Sequence, residues 1–394
     1  MNSICFVATT PFVVNAFLLG HLSNLADYYR VTLCVNLHLY PLSSEIDSRI
    51  RILQIPISRK VALGQDIVAL SRMLGIFRLE AFDVVHSITP KAGLLAMLAG
   101  FICRVPYRVH TFTGQVWATQ SGIKRYFFKS IDRFIVMLAS AAFSDSASQS
   151  RLLERELGLK IGLLGEGSIS GVDLNRFRPD AKRYRLTRER LGTPEGTFVF
   201  LFVGRIARDK GVFDLISAFR QLSAKRGDIE LWMVGPDEEG LVQQLKGAIG
   251  TAESHIRWVG STFEPEIYMA AADLLVLPSY REGFGMVIVE AGGCGIPALS
   301  YAIDGVVDAI VDGVTGALVP VGDVGALAEK MGTMADQPEE AKALGIAALL
   351  RVGRDFTFHS INEAWLNYYK GILCCSPKDK LKVSSKAPKP PLDG

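Results

Sequence analysis

Two successive series of short apolar runs, each run followed by residues with helical spacing, constrain this chain more than any other feature. The first series of strand-like runs falls at 4–8, 30–36, 51–55, 83–87, 107–111 and 141–144, with helical patterns over 61–77, 93–103 and 122–138. The second falls at 198–203, 229–234, 256–259, 274–277, 298–301 and 317–319. Strands that alternate with helices form mostly parallel sheets covered by helices on both faces, so each series predicts a doubly wound α/β domain. With 394 residues the chain exceeds one ordinary core and suits two such domains. Between the series, 171–196 is polar and rich in Arg, with Pro179 inside it. The expected division is a first Rossmann-like domain over 1–175, a linker over 176–197, and a second domain over 198–355. A closing helix over 356–372, with the option of crossing back to the first domain, and a disordered Lys- and Pro-rich tail over 373–394 follow.

Composition narrows the function classes. A hydrophobic share of 49% with 21% charged residues describes a folded protein, and a net charge of +3 gives no reason to invoke nucleic acid. The six cysteines lack metal-ligand spacing, which reads as idle thiols in a reducing compartment. The apolar N-terminus has no basic leader and reads as a first buried strand. The longest apolar run, 92–103, is too short to span a bilayer. A cytoplasmic protein is expected.

Two segments carry chemistry. In the first, the strand 274–277 ends at Pro278-Ser279, then Tyr280-Arg281-Glu282-Gly283-Phe284-Gly285 leads into a helix that carries Glu290. Free N–H groups at a helix start suit a phosphate, and flanking carboxylates suit sugar hydroxyls. Both needs meet in a sugar nucleotide. In the second, Gly204-Arg205 and Lys210-Gly211 follow the strand 198–203. Ligands bind at the carboxyl ends of parallel strands, where these two cations can neutralise a diphosphate.

Taken together, these motifs, with Gly171-Val172-Asp173, Phe177 and Pro179, resemble the retaining glycosyltransferases of family 4, which have the two-domain GT-B fold. The resemblance implies that Arg205 and Lys210 bind the donor diphosphate, Glu282 the hydroxyls of the transferred sugar, and Glu290 the ribose, with Gly204, Gly283, Phe284 and Gly285 completing the donor site. It also assigns a catalytic place to His110, beside the donor sugar, and a wall of the cleft to Thr113, Gly114 and Gln115. Thr113 and Gln115 are therefore acceptor candidates. The chain departs from the family's Gly-Gly loop after the first strand, having Thr9-Thr10-Pro11-Phe12-Val13-Val14-Asn15 there, so Thr10 and Asn15 are candidates only by position. The resemblance further implies a nucleotide-sugar donor, with uridine diphosphate the commonest carrier, retention by front-face attack, no cofactor and no metal. Rival readings are a GT-B sugar-nucleotide epimerase and a non-catalytic subunit that binds sugar nucleotide or membrane.

The stretch 110–118 is similar to enzymes of bacterial surface-polysaccharide assembly, which implies an undecaprenyl-diphosphate-linked acceptor. A basic amphipathic stretch fits that acceptor: Lys124, Arg125, Lys129 and Arg133 alternate with Tyr126, Phe127, Phe128, Ile131, Phe134 and Ile135. Its cations and apolar residues together predict attachment to an anionic membrane surface, peripheral on the inner face of the cell membrane. Lys91, Arg104 and Arg108 extend the patch in this reading.

Overall fold

The computed structural model describes residues 1–58 and 62–374 and contains two parallel sheets. The first domain runs β1 (Ser3–Val7), α1 (Pro11–Phe17), α2 (Leu19–Ala26), β2 (Arg30–Val35), β3 (Arg51–Gln54), α3 (Leu63–Glu80), β4 (Val84–Ile88), α4 (Pro90–Ile102), β5 (Tyr107–Phe112), α5 (Gly122–Leu138), β6 (Ala141–Ser144), α6 (Ala147–Leu157) and β7 (Gly162–Leu163). Its seven strands lie in the order β3-β2-β1-β4-β5-β6-β7.

The second domain runs α7 (Ala181–Leu191), β8 (Phe198–Val203), α8 (Val212–Ser223), β9 (Ile229–Val234), α9 (Val242–Ile249), β10 (Ile256–Gly260), α10 (Pro265–Met269), β11 (Leu274–Leu277), α11 (Met286–Gly293), β12 (Ala298–Tyr301), α12 (Val306–Ala309), β13 (Gly316–Val319), α13 (Val324–Asp336), α14 (Pro338–Asp355) and α15 (Phe358–Cys374). Its six strands are ordered β10-β9-β8-β11-β12-β13, the same plan without the last edge strand.

Central strands such as β8, Phe-Val-Phe-Leu-Phe-Val, are apolar on both faces because helices cover both. In each sheet the strand order reverses between the first strand and the fourth, β1 next to β4 and β8 next to β11. Crevices open at such switch points, outside the carboxyl ends of the strands.

Two regions depart from the expected outline. The stretch read as a linker contains the helix α7, capped by the Asp180 carboxylate on the Lys182 and Arg183 amides. Arg188 of that helix donates to the Ala271 and Thr197 carbonyls and pairs with Asp273 at 2.5 Å, which ties it into the second domain. Mixed polarity concealed the helix, because its Arg residues reach buried carbonyls that periodicity alone cannot reveal. The helical run 324–351 is likewise two helices, broken at Gln337-Pro338 because proline cannot continue a hydrogen-bonded turn.

The chain passes between domains at two adjacent points. The Val172 amide donates to Phe356 O at 2.7 Å, and the Phe358 amide returns to Val172 O at 2.9 Å. Beyond this hinge α15 packs on the first domain. Tyr369 bonds His86 Nδ1 through its hydroxyl at 2.5 Å, and Asn362 bonds His21 Nδ1 at 2.7 Å. Trp365 stacks on Tyr369. Of the tail read as disordered, 375–394 lies outside the described residues.

Candidate active site

The expected donor residues meet at the second domain's switch point. Arg205 and Lys210 leave the end of β8, and Glu282 leaves the end of β11. Gly211 makes the meeting possible: its φ is +65°, and a Cβ there would overlap the Pro278 carbonyl. The two loops are thereby pressed together. Lys210 Nζ reaches Glu282 Oε1 at 2.7 Å, and Ser279 Oγ donates to the same oxygen at 2.7 Å. Arg205 is held by Glu238 at 3.1 Å and Asp209 at 3.5 Å, and Arg281 reaches Asp209 at 3.0 Å. Burial by itself would raise the Asp209 carboxyl, yet Arg205, Arg281 and Lys210 hold it below the usual range.

Phe284 serves the site from behind. Its ring is buried and packs against Phe356, with centroids 5.1 Å apart, so the loop is anchored to the hinge. Gly285 caps the start of α11, and Glu290 follows in that helix. Burial pushes the Glu290 carboxyl up to about 7, against the pull of Arg176 and with Glu266 adding to the rise.

The opposite wall comes from the carboxyl ends of β5 and β6. His110 is fully buried; Nδ1 bonds Ser87 Oγ at 2.8 Å, while Nε2 has no partner. Burial lowers the ring to about 3, so it is neutral at ordinary pH. Thr113 and Gly114 lie directly against the Glu282-Gly283 peptide. A Cβ on Gly283 would overlap Asp145 Oδ2 and stand 2.9 Å from the Thr113 carbonyl, which is why glycine occupies that position. Gln149 donates through Nε2 to the carbonyls of Glu282 and Gly283. Ser148 bonds Asp308 through its amide at 2.7 Å and its hydroxyl at 2.6 Å. The two walls are in contact.

Several expected residues take other places. Asn15 donates to the Pro41 carbonyl at 3.0 Å and accepts the Ser43 amide at 2.9 Å, so it braces the loop after β2. Thr10 is buried at the start of α1. Gln115 is buried with Nε2 unpartnered. In the basic stretch, Arg125 and Lys129 both pair with Glu156 of α6, and Arg133 donates to the Leu157 carbonyl at 2.5 Å. Spacing of four along α5 brings all three cations within reach of α6, although Arg133 stays exposed and Arg125 and Lys129 half-buried. Lys91 likewise pairs with Asp66, and Arg108 donates to the Leu138 and Val105 carbonyls. What α5 presents to solvent is Lys124, Ser130 and Arg133 with the apolar Ile123, Tyr126, Phe127, Phe134 and Met137.

Sequence reasoning missed Asp145, Ser148, Gln149, Asp209, Glu238 and Arg281. Arg281 lay within a quoted motif and Asp209 immediately before Lys210, where a charge four residues from Arg205 was the available signal. The others come from the turns after β6 and β9 and from the first turn of α6, which no motif marks. Among the described residues no helix is long and apolar enough to cross a membrane, and no group of three His, Cys, Asp or Glu residues is arranged to hold a metal ion.

Two Rossmann-like domains facing each other, with a cationic pair and a carboxylate at the second domain's switch point, define the GT-B architecture. The family models agree: residues 184–351 match glycosyl transferases group 1, and residues 22–162 match the glycosyl transferase 4-like domain. The chain is a GT-B glycosyltransferase, and the resemblance to family 4 read from its motifs stands on both halves. It is 29% identical to the capsular polysaccharide biosynthesis glycosyltransferase CapM of Staphylococcus aureus, over 81% of this chain and 84% of that protein. In fold it is similar to sucrose-phosphate synthase of Thermosynechococcus elongatus, with a TM-score of 0.79 and 22% identity over 95% of this chain and 100% of that one. It is also similar to HepE of Anabaena, solved in complex with UDP and glucose, with a TM-score of 0.77 and 19% identity over 94% of this chain and 100% of that one.

Proposed function

We propose that the protein transfers a hexosyl or N-acetylhexosaminyl unit from a nucleoside-diphosphate sugar, with uridine as the base, to a lipid-linked glycan of a surface polysaccharide, retaining the anomeric configuration. The observation that carries this reading is the Lys210–Glu282 contact of 2.7 Å at the switch point, with Arg205 beside it and neutral His110 in the facing wall. Charge grows on the diphosphate as the glycosidic bond breaks. Arg205 and Lys210 stabilise it there, where partial burial strengthens the interaction. Glu282 and the Gly283 peptide hold the sugar's hydroxyls, and Glu290 holds the ribose. In front-face attack the leaving phosphate oxygen takes the acceptor's proton, so no further base is required. The likeness to CapM supports a polysaccharide acceptor, and HepE's complex with UDP and glucose supports the donor class.

Incubation with a panel of nucleotide sugars and lipid-diphosphate acceptors tests the reading, with the anomeric configuration of the product read by NMR. Sugar isomerisation without an acceptor makes the protein an epimerase, and binding without turnover makes it a non-catalytic subunit.

The lipid part of the proposal rests on α5. Its exposed Ile123, Tyr126 and Phe127 lie toward the cleft end of the helix, and a membrane would cover them. Burying one such side chain stabilises attachment by about 1.5–3 kcal/mol, against about 1 kcal/mol for a surface cation. Co-sedimentation with anionic vesicles should therefore weaken far more for Tyr126→Ser/Phe127→Ser than for Lys124→Gln. Equal pelleting of wild type and the double variant would remove the membrane from the proposal.

A further inference from the structure

Asp145 follows β6 in the first-domain wall, and no motif or resemblance assigns it a role. Its backbone is fixed: the amide donates to Phe112 O at 3.2 Å, and the carbonyl accepts the Ser168 amide at 2.6 Å. The side chain is only 4% exposed, yet Oδ1 has no hydrogen-bond partner, and Oδ2 lies against the Gly283 backbone.

Carboxyls with a structural task look different in this molecule. Buried Glu230 accepts the Arg257 guanidinium at 2.5 Å on Oε1 and the Thr193 hydroxyl at 2.7 Å on Oε2. Half-buried Asp273 accepts the Val199 amide at 2.7 Å and the Arg188 guanidinium at 2.5 Å. An unpartnered buried polar atom costs about 1–3 kcal/mol, so a merely structural site would favour an apolar side chain. Asp145 also has neighbours with the same deficit. His110 Nε2 is unpartnered in the adjacent strand, and Gln149 Oε1 is unpartnered on the side chain that grips the Glu282 and Gly283 carbonyls. Two side chains of one domain that carry orphaned polar atoms, Asp145 and Gln149, thus border the loop that carries Glu282, while His110 packs against Ser87 and Gly93 in the strand beside them.

We propose that Asp145 is a substrate-binding residue whose free oxygen takes a hydroxyl of the carbohydrate held between the two domains. The inference rests on the glycosyltransfer reading given above and adds a first-domain contact to it. The ligand group must be neutral, because Glu282 and Asp308 both act on this carboxyl as like charges and would repel a phosphate. A hydroxyl suits either protonation state, accepting from a neutral carboxyl or donating to a carboxylate. That hydroxyl belongs either to the transferred sugar or to the acceptor's terminal sugar, and the same experiment separates the two.

The test measures kcat/KM for wild type, Asp145→Ala and Asp145→Asn with the parent substrates, with donors lacking one sugar hydroxyl each, and with acceptors lacking one each. Asp145→Ala should lose about tenfold or more with the parent pair and less than twofold with the single analogue that lacks the contacted hydroxyl. Loss of the coupling with a deoxy donor assigns the contact to the transferred sugar, and with a deoxy acceptor to the acceptor. If the alanine variant does not fold, Asp145→Asn, which keeps the side chain's shape, is held to the same coupling criterion. An equal loss on every analogue, or none with the parent pair, overturns the assignment of Asp145 while leaving glycosyltransfer intact. A wild type without transferase activity sinks both.

Discussion

The two walls of the cleft are built on opposite electrostatic plans. In the second domain every cation of the site has a carboxylate partner: Lys210 with Glu282, Arg205 with Glu238 and Asp209, Arg281 with Asp209. In the first domain the polar groups are buried, uncharged or pushed toward neutrality, and left short of partners: His110, Gln115, Asp145 and Gln149. The contrast separates two tasks. A preassembled set of ion pairs can exchange its carboxylates for a diphosphate without reorganising the cations, whereas orphaned neutral groups suit hydroxyls, for which a net charge would add little discrimination.

The largest expected effect breaks the charged wall. Lys210→Ala removes the partner of Glu282 and one of the two cations proposed for the leaving group, so turnover should fall by at least about tenfold, or 1.4 kcal/mol in the barrier. Steady-state kinetics check it, and turnover within twofold of wild type would remove Lys210 from the site. Next comes the contact between the walls. A methyl group on Gly283 would strike Asp145 and Thr113, so Gly283→Ala should hold the domains apart and enlarge the radius measured by small-angle scattering. An unchanged radius with unchanged kinetics would mean that this junction does not limit closure.

Titration sharpens the comparison further. Burial raises the Glu290 carboxyl to about 7, so its ionised form is present above that pH and is lost as pH falls through it. A carboxylate that accepts ribose hydroxyls is weakened by protonation, so the donor KM should rise severalfold between pH 8 and pH 6, and Glu290→Gln should flatten the rise. A wild-type KM that does not change over this range would separate Glu290 from the ribose. The smallest effect is expected of His110. Its ring is held to about 3 by burial and remains neutral from pH 5 to pH 8, so His110→Asn should alter the rate without moving any inflection in that range. An inflection near pH 6.5 that disappears in the variant would show that the ring gains a proton during turnover.

Much of the second domain's charged wall was legible in the sequence. Arg205, Lys210, Glu282 and Glu290 stand in short motifs whose strand, turn and helix are local in sequence, so residue spacing carries them directly. The facing wall was only half legible. His110 stands inside a recognisable strand, β5, and its ring is buried on Ser87 and Gly93, whereas Asp145, Ser148 and Gln149 gain their meaning from Glu282, Gly283 and Asp308, which lie more than a hundred positions away. The basic stretch was read as the helix it is, without the ion pairs its cations make. Its limits at Gly122 and Leu138 follow from periodicity, but Glu156 decides where Arg125 and Lys129 point.

By itself the sequence determined the doubly wound plan of both domains, because burial on both sheet faces requires continuous apolar strands alternating with helices, and it pointed to the loops of the second domain where Arg205, Lys210 and Glu282 meet. Only the tertiary structure decided which cations remain outward, which carboxyls are left without partners, and that α15 returns to the first domain through His86 and His21. The physical reason is that a charge's partner and its burial are long-range properties. They are fixed when distant strand ends meet, and neither spacing nor composition records that meeting.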